Sequence, residues 1–261
     1  MKIGVCVKIT PDTGTRITIA NGGQGIDPSG IKWIVSPYDQ FAIEEAVQTA
    51  ESQGGEVTLF SVGPADWHSQ LRGSGLAVGA HRAVVVTDPA LDDTDNLGVA
   101  KTLAAAIAAE GVQLVFCGKQ AADDDAGQVP AMIAERLGWA QVTQVTAFGL
   151  EGQTLTADRQ LGGGVVQTVT GPLPAVISCE RGLNTPRYAK LPQIMKAKRK
   201  PLETKTLADL GLTPSDVLPA AQTSHYQPPP ARTAGRIIEG DTVDAKVAEL
   251  VRLLREEAKV L

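Results

Sequence analysis

The chain has 261 residues, 43% of them hydrophobic and 20% charged, which is the composition of an ordinary globular protein. Its net charge of −5 and its aromatic content of 4% argue against a nucleic-acid surface built on phosphate contacts and base stacking. No apolar run is long enough to cross a bilayer, and no signal peptide precedes the first strand. We therefore expect no membrane insertion and a cytoplasmic location, or the mitochondrial matrix in a eukaryote.

In the first half of the chain, strand-like and helix-like segments alternate, which indicates a mainly parallel sheet with flanking helices. The predicted elements are strand 2–9, a small hairpin of 16–20 with 31–35, a helix from Pro37 to Gly54 with Ser36 as its cap, strand 56–62, helix 65–78, strand 83–87, helix 95–109, a strand from Val112 to Gly118, and helix 129–137. Gly73, Gly75 and Gly79 resemble a dinucleotide fingerprint, but they fall inside a helical stretch, where close packing is the favoured interpretation.

After Trp139 the pattern changes to Val- and Thr-rich segments separated by turn signals. Segments 143–149, 153–159, 164–170 and 174–179 are predicted to form hairpins that extend the sheet with an antiparallel edge. Residues 201–236, rich in Pro, Thr and Gln, are predicted to form an extended arm, followed by an amphipathic helix over about 242–258. We thus divide the chain into an α/β domain, 1–200, and an arm with its helix, 201–261, which packs on this chain's own body or on a partner.

A polar loop, 118–128, follows the strand that ends at Gly118 and precedes a helix. Ligands of open α/β sheets bind beyond the carboxyl ends of the strands, beside helix N-termini. Backbone amides and Lys119 are expected to face an anion there, while the aspartates 123–125 bind ribose hydroxyls or cap the next helix. With Ser36–Asp39 and the strand ends near Cys6 and Gly63, the loop predicts a nucleotide cleft.

The sequence contains few signs of a catalytic site. No P-loop, G-x-S-x-G, H-E-x-x-H or C-x-x-C motif occurs, and no nucleophile–base pair accompanies the cleft. Cys6, Cys117 and Cys179 are far apart and are expected to be buried, reduced thiols. No His has the spacing of a metal ligand, so we predict neither catalytic residues nor a metal site, and a binding or carrier role.

Residues 181–200 form a basic segment in which apolar side chains are interspersed. The apolar residues are Leu183, Tyr188, Leu191, Ile194 and Met195, and the basic ones are Arg187, Lys190, Lys196, Lys198, Arg199 and Lys200. Apolar groups ringed by charge are typical of a transient docking surface, because charge accelerates encounter and the apolar groups supply the affinity. We favour this docking hypothesis over a solvated basic linker.

Seven motifs resemble the β subunit of electron transfer flavoprotein over nearly the whole chain. They are VCVK (5–8), SPYDQFAIEEAV (36–47), SVGPA (61–65), GLAVGAHRAVVV (75–86), GKQAADDDAGQV (118–129), LGWAQ (137–141) and LNTPRYAKLPQIMKAKRKP (183–201). The resemblance implies a fold like that of the adenine nucleotide α hydrolases. It also implies a heterodimer whose α subunit holds most of the FAD and whose β subunit binds AMP. The complex would carry electrons from acyl-CoA and related dehydrogenases, as in fatty acid β-oxidation, to a quinone-linked oxidoreductase.

Carried over by position, the resemblance assigns residues to two sites. The nucleotide site would comprise Cys6, Ser36, Pro37, Tyr38, Asp39, Val62, Gly118, Lys119, Gln120, Ala121, Ala122, Asp123, Asp124, Asp125, Ala126, Gly127, Gln128 and Val129. The docking site would comprise Leu183, Tyr188, Leu191, Ile194, Met195 and Lys196, with Leu191 seated in a dehydrogenase pocket. The arm and terminal helix would wrap the α subunit.

Departures from the family pattern leave alternatives open. Ser36 stands where Asn is usual, Gln160 where Glu is common, and Arg199 where Lys is frequent. The start VKITPDT favours an electron-bifurcating branch, whose β subunit binds a second FAD and NADH, whereas the triple Asp favours AMP, which we prefer. A further alternative is an adenine-nucleotide hydrolase or stress-type sensor of similar fold.

Overall fold

In the computed structural model, residues 1–20, 22–23, 25–232 and 234–261 are described. The strands are β1 (Lys2–Cys6), β2 (Ile9–Pro11), β3 (Trp33–Val35), β4 (Glu56–Val62), β5 (Arg82–Val86), β6 (Leu114–Gly118), β7 (Ala140–Glu151), β8 (Thr154–Gly162), β9 (Val165–Pro172), β10 (Ala175–Cys179) and β11 (Leu202–Lys205). The helices are α1 (Pro37–Gln53), α2 (His68–Ser74), α3 (Asn96–Glu110), α4 (Val129–Leu137), α5 (Leu191–Ala197) and α6 (Val243–Glu256).

Nine of these strands form one sheet in the order β11-β5-β4-β1-β6-β10-β7-β8-β9. Pairing is parallel from β11 to β7 and antiparallel among β7, β8 and β9. Two separate apolar clusters cover the two faces of the sheet. One cluster includes Ile43 of α1 and Leu71 of α2, and the other includes Ile107 of α3 and Ile133 of α4. The predicted fold class, a mainly parallel α/β sheet with an antiparallel extension, is confirmed.

The predicted hairpins differ from the structure in one strand. Segment 174–179 is wrong as a hairpin strand, because β10 lies inside the parallel sheet, between β6 and β7. All five of its residues are buried, as expected for a strand with helices on both faces. β7 joins the two regions, since its first half pairs in parallel with β10 and its second half pairs antiparallel with β8.

The structure differs from the predicted elements near the N-terminus and in the glycine-rich stretch. Strand 2–9 ends at Cys6, and β2 pairs with β3 instead of 16–20 pairing with 31–35. The predicted helix 65–78 is α2 with a 3₁₀ turn on each side. Close packing of its glycines is confirmed at two positions, since a Cβ would lie 2.3 Å from Leu59 Cδ1 at Gly75 and 2.6 Å from Val47 Cγ1 at Gly79.

The segment predicted as an arm from residue 201 is packed on the domain in its first part. β11 extends the parallel sheet beyond β5, and Leu207 and Val217 are buried against the α3 face. The extended region therefore starts after Val217. α6 buries Leu253 but leaves Val243, Val247 and Leu250 exposed. Of the helices in the described ranges, none is both long and apolar enough to cross a membrane.

Candidate functional site

The predicted cleft lies at the topological switch point of the sheet. From β1 the chain continues to β4 and β5 on one side and then crosses to β6 on the other side of β1. The connections that leave β1 and β6 therefore diverge, so a crevice is expected between the carboxyl ends of these two strands. Open α/β sheets bind their ligands in this crevice.

Asp39, in the first turn of α1, joins the two connections. Its Oδ2 accepts from the Lys8 amide at 2.7 Å, and its Oδ1 accepts from the Gly118 amide at 3.0 Å. Gly118 permits this approach, because a Cβ there would lie 2.3 Å from Oδ1 and 2.8 Å from the Asp39 amide nitrogen. Burial raises the pKa of Asp39 to about 7, although both amide donors favour its charged form.

The aspartates of the 118–128 loop fix its shape. Lys8 Nζ lies 2.8 Å from Asp123 and 3.2 Å from Asp124, so a residue that follows β1 neutralises part of the loop. Asp124 also accepts from the Ala126 amide at 3.1 Å, and Asp125 accepts from the Gln120 side chain at 2.8 Å. The prediction that these aspartates cap the next helix is wrong, since α4 begins after Gln128 without a side-chain cap.

Lys119, which was predicted to face an anion, forms an ion pair within the chain. Its Nζ lies 2.7 Å from Glu180 and 5.8 Å from the centre of the Tyr38 ring, while its amide donates to the Cys179 carbonyl at 2.9 Å. Glu180 was not among the predicted site residues. It comes directly after β10, whose last residue is in register with Gly118, but strand order cannot be read from local sequence.

Several backbone amides of the 118–128 loop are candidates for binding an anion. In the described structure, the amides of Gln120, Ala121, Ala122, Asp123 and Gly127 donate to no residue, and the N-terminus of α4 follows them. Unpaired amides next to a helix N-terminus are suited to phosphate oxygens, and neutralisation by Lys8 limits the repulsion from the aspartates. The residues present therefore fit a small phosphorylated ligand.

The other predicted nucleotide-site residues surround the same crevice. Cys6 and Val62 end β1 and β4, and Ser36–Asp39 start α1. Ser36 is the N-cap residue of α1, as predicted, but its Oγ makes no cap bond and is buried without a partner among the described residues. The structure therefore brings the predicted residues together at one edge of the sheet.

The docking segment, residues 181–200, contains a helix that was not predicted, α5. Tyr188, Leu191 and Met195 are 95%, 72% and 55% exposed, and Ile194 and Lys196 are also exposed. Leu183 differs from these residues, because it packs partly against the core on the α1 face. Four of the five predicted apolar residues thus form an exposed surface, and Leu183 belongs to its support.

Comparison of the sequence with known proteins identifies a family. A model of the electron transfer flavoprotein domain matches residues 25–210. The chain is 37% identical to the electron transfer flavoprotein subunit beta of Bacillus subtilis (strain 168) and 38% identical to that of Bradyrhizobium diazoefficiens, in both cases over 100% of each chain. It is 37% identical to the human subunit over 98% of each chain.

The chain belongs to the electron transfer flavoprotein β-subunit family. This membership confirms the resemblance that the motifs indicated, and it places the chain among proteins of flavin-dependent electron transfer. In this electron transfer flavoprotein subunit, the matched residues 25–210 include both the 118–128 loop and the docking segment.

Proposed function

We propose that the chain is the β subunit of a heterodimeric electron transfer flavoprotein. The α subunit holds most of the redox-active FAD, and the complex carries electrons from acyl-CoA or related dehydrogenases to a quinone-linked oxidoreductase. The β subunit itself is not catalytic. It binds AMP in the crevice between β1 and β6 and contacts the dehydrogenase through residues 181–200.

The nucleotide assignment rests on two hydrogen bonds at the start of the 118–128 loop. The Asp39 carboxylate accepts one from the Lys8 amide and one from the Gly118 amide. Asp39 holds the starts of two diverging connections at 2.7 and 3.0 Å, and Lys8 ties the loop to the β1 side of the crevice. The free amides of the loop supply donors for the AMP phosphate. AMP contributes no redox chemistry; it stabilises the native fold because it binds that state alone.

The docking assignment is supported by the exposed cluster on α5. An isolated exposed apolar residue needs no explanation, but Tyr188, Leu191 and Met195 lie together on one short segment with basic neighbours. A few anchor residues that become buried in the complex, surrounded by weaker contacts that exclude water, supply most of the binding energy of an interface. Leu191 is the most suitable anchor, since it starts α5 and is largely exposed.

The composition of the purified complex tests the proposal. The chain is co-expressed with its flavin-bearing partner, and the small molecules released on denaturation are weighed and quantified. We expect one FAD and one AMP per heterodimer. Two FAD molecules would support the bifurcating alternative, and ATP that turns over in the isolated chain would support the hydrolase alternative. A complex with one FAD and no AMP would contradict the nucleotide assignment.

A further inference from the structure

The basic residues of the docking segment fall into two structural groups. Arg187 and Lys200, which lie on the two sides of the exposed stretch 188–196, are bound to other parts of the chain. In contrast, the side chains of Lys190, Lys196, Lys198 and Arg199 form no ion pair within the described ranges. The side chains of Arg187 and Lys200 therefore attach the segment to the domain, whereas, in the part of the chain that is described, those of the four basic residues between them do not.

Arg187 attaches the first end to α1. Its guanidinium lies 2.9 Å from Glu44 and 2.7 Å from Glu51, and the nearby Asn184 side chain donates to Glu45 at 2.9 Å. The Glu44 side chain is only 4% exposed. Burial alone would raise the pKa of Glu44, but hydrogen bonds from Arg187 and Gln48 outweigh it and keep that pKa below its ordinary value. The pair therefore remains ionised at neutral pH.

The second end is held by backbone carbonyls. Arg72 of α2 donates to the carbonyls of Ala197 and Lys200 at 2.8 and 3.0 Å. Lys200 Nζ in turn donates to the Leu76 carbonyl at 2.9 Å, beyond α2. Between these two attachments, the exposed face of Tyr188, Leu191 and Met195 projects from the domain.

We propose that Arg187 is a positioning residue for donor docking: it fixes the segment to α1 so that the Leu191 face is already in its binding arrangement before the dehydrogenase arrives. This inference rests on the docking role proposed above. A loop that is ordered in advance loses less conformational entropy on binding, which raises affinity without any contact from the ordering residue. The planar guanidinium spans two carboxylates at once, and a lysine ammonium would reproduce this only in part.

The experiment uses the full heterodimer and an acyl-CoA dehydrogenase reduced by its acyl-CoA substrate. Arg187→Gln should raise the KM for the heterodimer about tenfold and leave kcat unchanged, with Arg187→Lys between it and the wild type. Hydrogen exchange of the amides in 188–196 should become faster in the same order. Lys101→Gln is the matched control, because Lys101 donates to a backbone carbonyl on the opposite face of the sheet.

The outcomes separate this inference from the proposed function. Leu191→Ala, measured in parallel, should raise KM without a change in hydrogen exchange. If Leu191→Ala raises KM while Arg187→Gln does not, docking stands and the positioning role of Arg187 is refuted. If neither variant changes KM, the docking role of the segment itself is refuted.

Glu51→Gln keeps the test valid should Arg187→Gln fail to fold. Glu51 is largely exposed, so its replacement removes one arm of the Arg187 contact and leaves the buried Glu44 paired. We expect about a twofold to threefold rise in KM, with normal flavin and nucleotide content. A folded Glu51→Gln heterodimer with unchanged KM and unchanged exchange would contradict the proposal.

Discussion

The 118–128 loop and the docking segment follow neighbouring parallel strands, β6 and β10, and both are rich in charge. In the loop, the charged side chains bind one another across the crevice, as Lys8 binds Asp123 and Asp124. In the docking segment, the side chains of Arg187 and Lys200 bind other parts of the chain, and the stretch between them exposes apolar side chains. A charge-rich connection can thus enclose a ligand or display a surface, depending on where its counter-charges lie.

α1 contributes to both regions. Its first turn supplies Asp39, which holds the starts of the β1 and β6 connections, and its later turns supply Glu44 and Glu51, which hold Arg187. The buried stripe of α1 packs on the sheet between these two points, with Ala42, Ile43 and Ala46 in the core. Different polar residues of one helix therefore hold the two regions. A substitution of one of them is expected to affect one region and leave the other unchanged.

The largest effect is expected from Gly118→Ala. A Cβ at this position meets the Asp39 carboxylate and the backbone around Tyr38 within 3 Å, and backbone cannot rotate away. Overpacking of this kind costs about 1–3 kcal/mol, and we expect the upper end together with loss of bound nucleotide. Urea unfolding and nucleotide quantification measure both.

Gly171→Ala in β9 is the control, since a Cβ there has no atom within 4 Å. Docking should survive in Gly118→Ala heterodimers that remain folded, because the docking segment is attached elsewhere on α1. If Gly118→Ala retained normal nucleotide content and stability, the contact between Asp39 and Gly118 would not hold the two connections together as the structure indicates.

A smaller effect, dependent on pH, is expected from Asp39. Its folded-state pKa of about 7 lies above the value of ~3.9 for an unfolded Asp, so between these values the folded chain retains a proton that the unfolded chain has lost. The contribution of Asp39 to stability is complete below ~3.9 and is lost as pH rises through 7. From pH 5.5 to 7.5 the free energy of unfolding should fall by about 2 kcal/mol through this group.

Asp39→Asn should abolish that part of the pH dependence, which unfolding curves at the two pH values would show. Asp12→Asn is the control, because the hydrogen bond from Lys32 holds the pKa of Asp12 below its ordinary value, and any effect has the opposite sign. Identical pH slopes in the wild type and Asp39→Asn would rule out a buried, proton-retaining Asp39.

Local sequence patterns predict the elements whose residues alternate or repeat with a helical period. α1, β4, α3 and α4 match within a residue or two, because their apolar positions report burial directly. α5 was missed in a basic stretch, although Pro192 near its start was a usable signal, since Pro favours the first turn of a helix. β11 was missed because the segment LETK is half exposed at the sheet edge and carries little apolar pattern.

Long-range pairing explains what could not be predicted. The strand order that puts β10 beside β6 depends on contacts distant in sequence, and so do the ion pair of Lys119 with Glu180 and the contact of Arg187 with Glu44. The position of the candidate cleft follows from the general rule for open sheets, but the partners of its charged residues could not be predicted. The sequence therefore indicated two candidate loops, and the structure shows which of their charged side chains are paired among the described residues.

The smallest effect is expected from Lys8→Gln, which removes the ion pairs of the 118–128 loop and keeps the Lys8 amide on Asp39. These side chains are 32–41% exposed, so the pairs contribute about 0.5–1 kcal/mol, which corresponds to a twofold to fivefold faster release of nucleotide. Lys32→Gln, which breaks an equally short pair with Asp12 outside the crevice, should leave release unchanged. The difference should shrink at high salt, where exposed charges are screened, and equal release rates at low salt would show that Lys8 does not hold the loop closed.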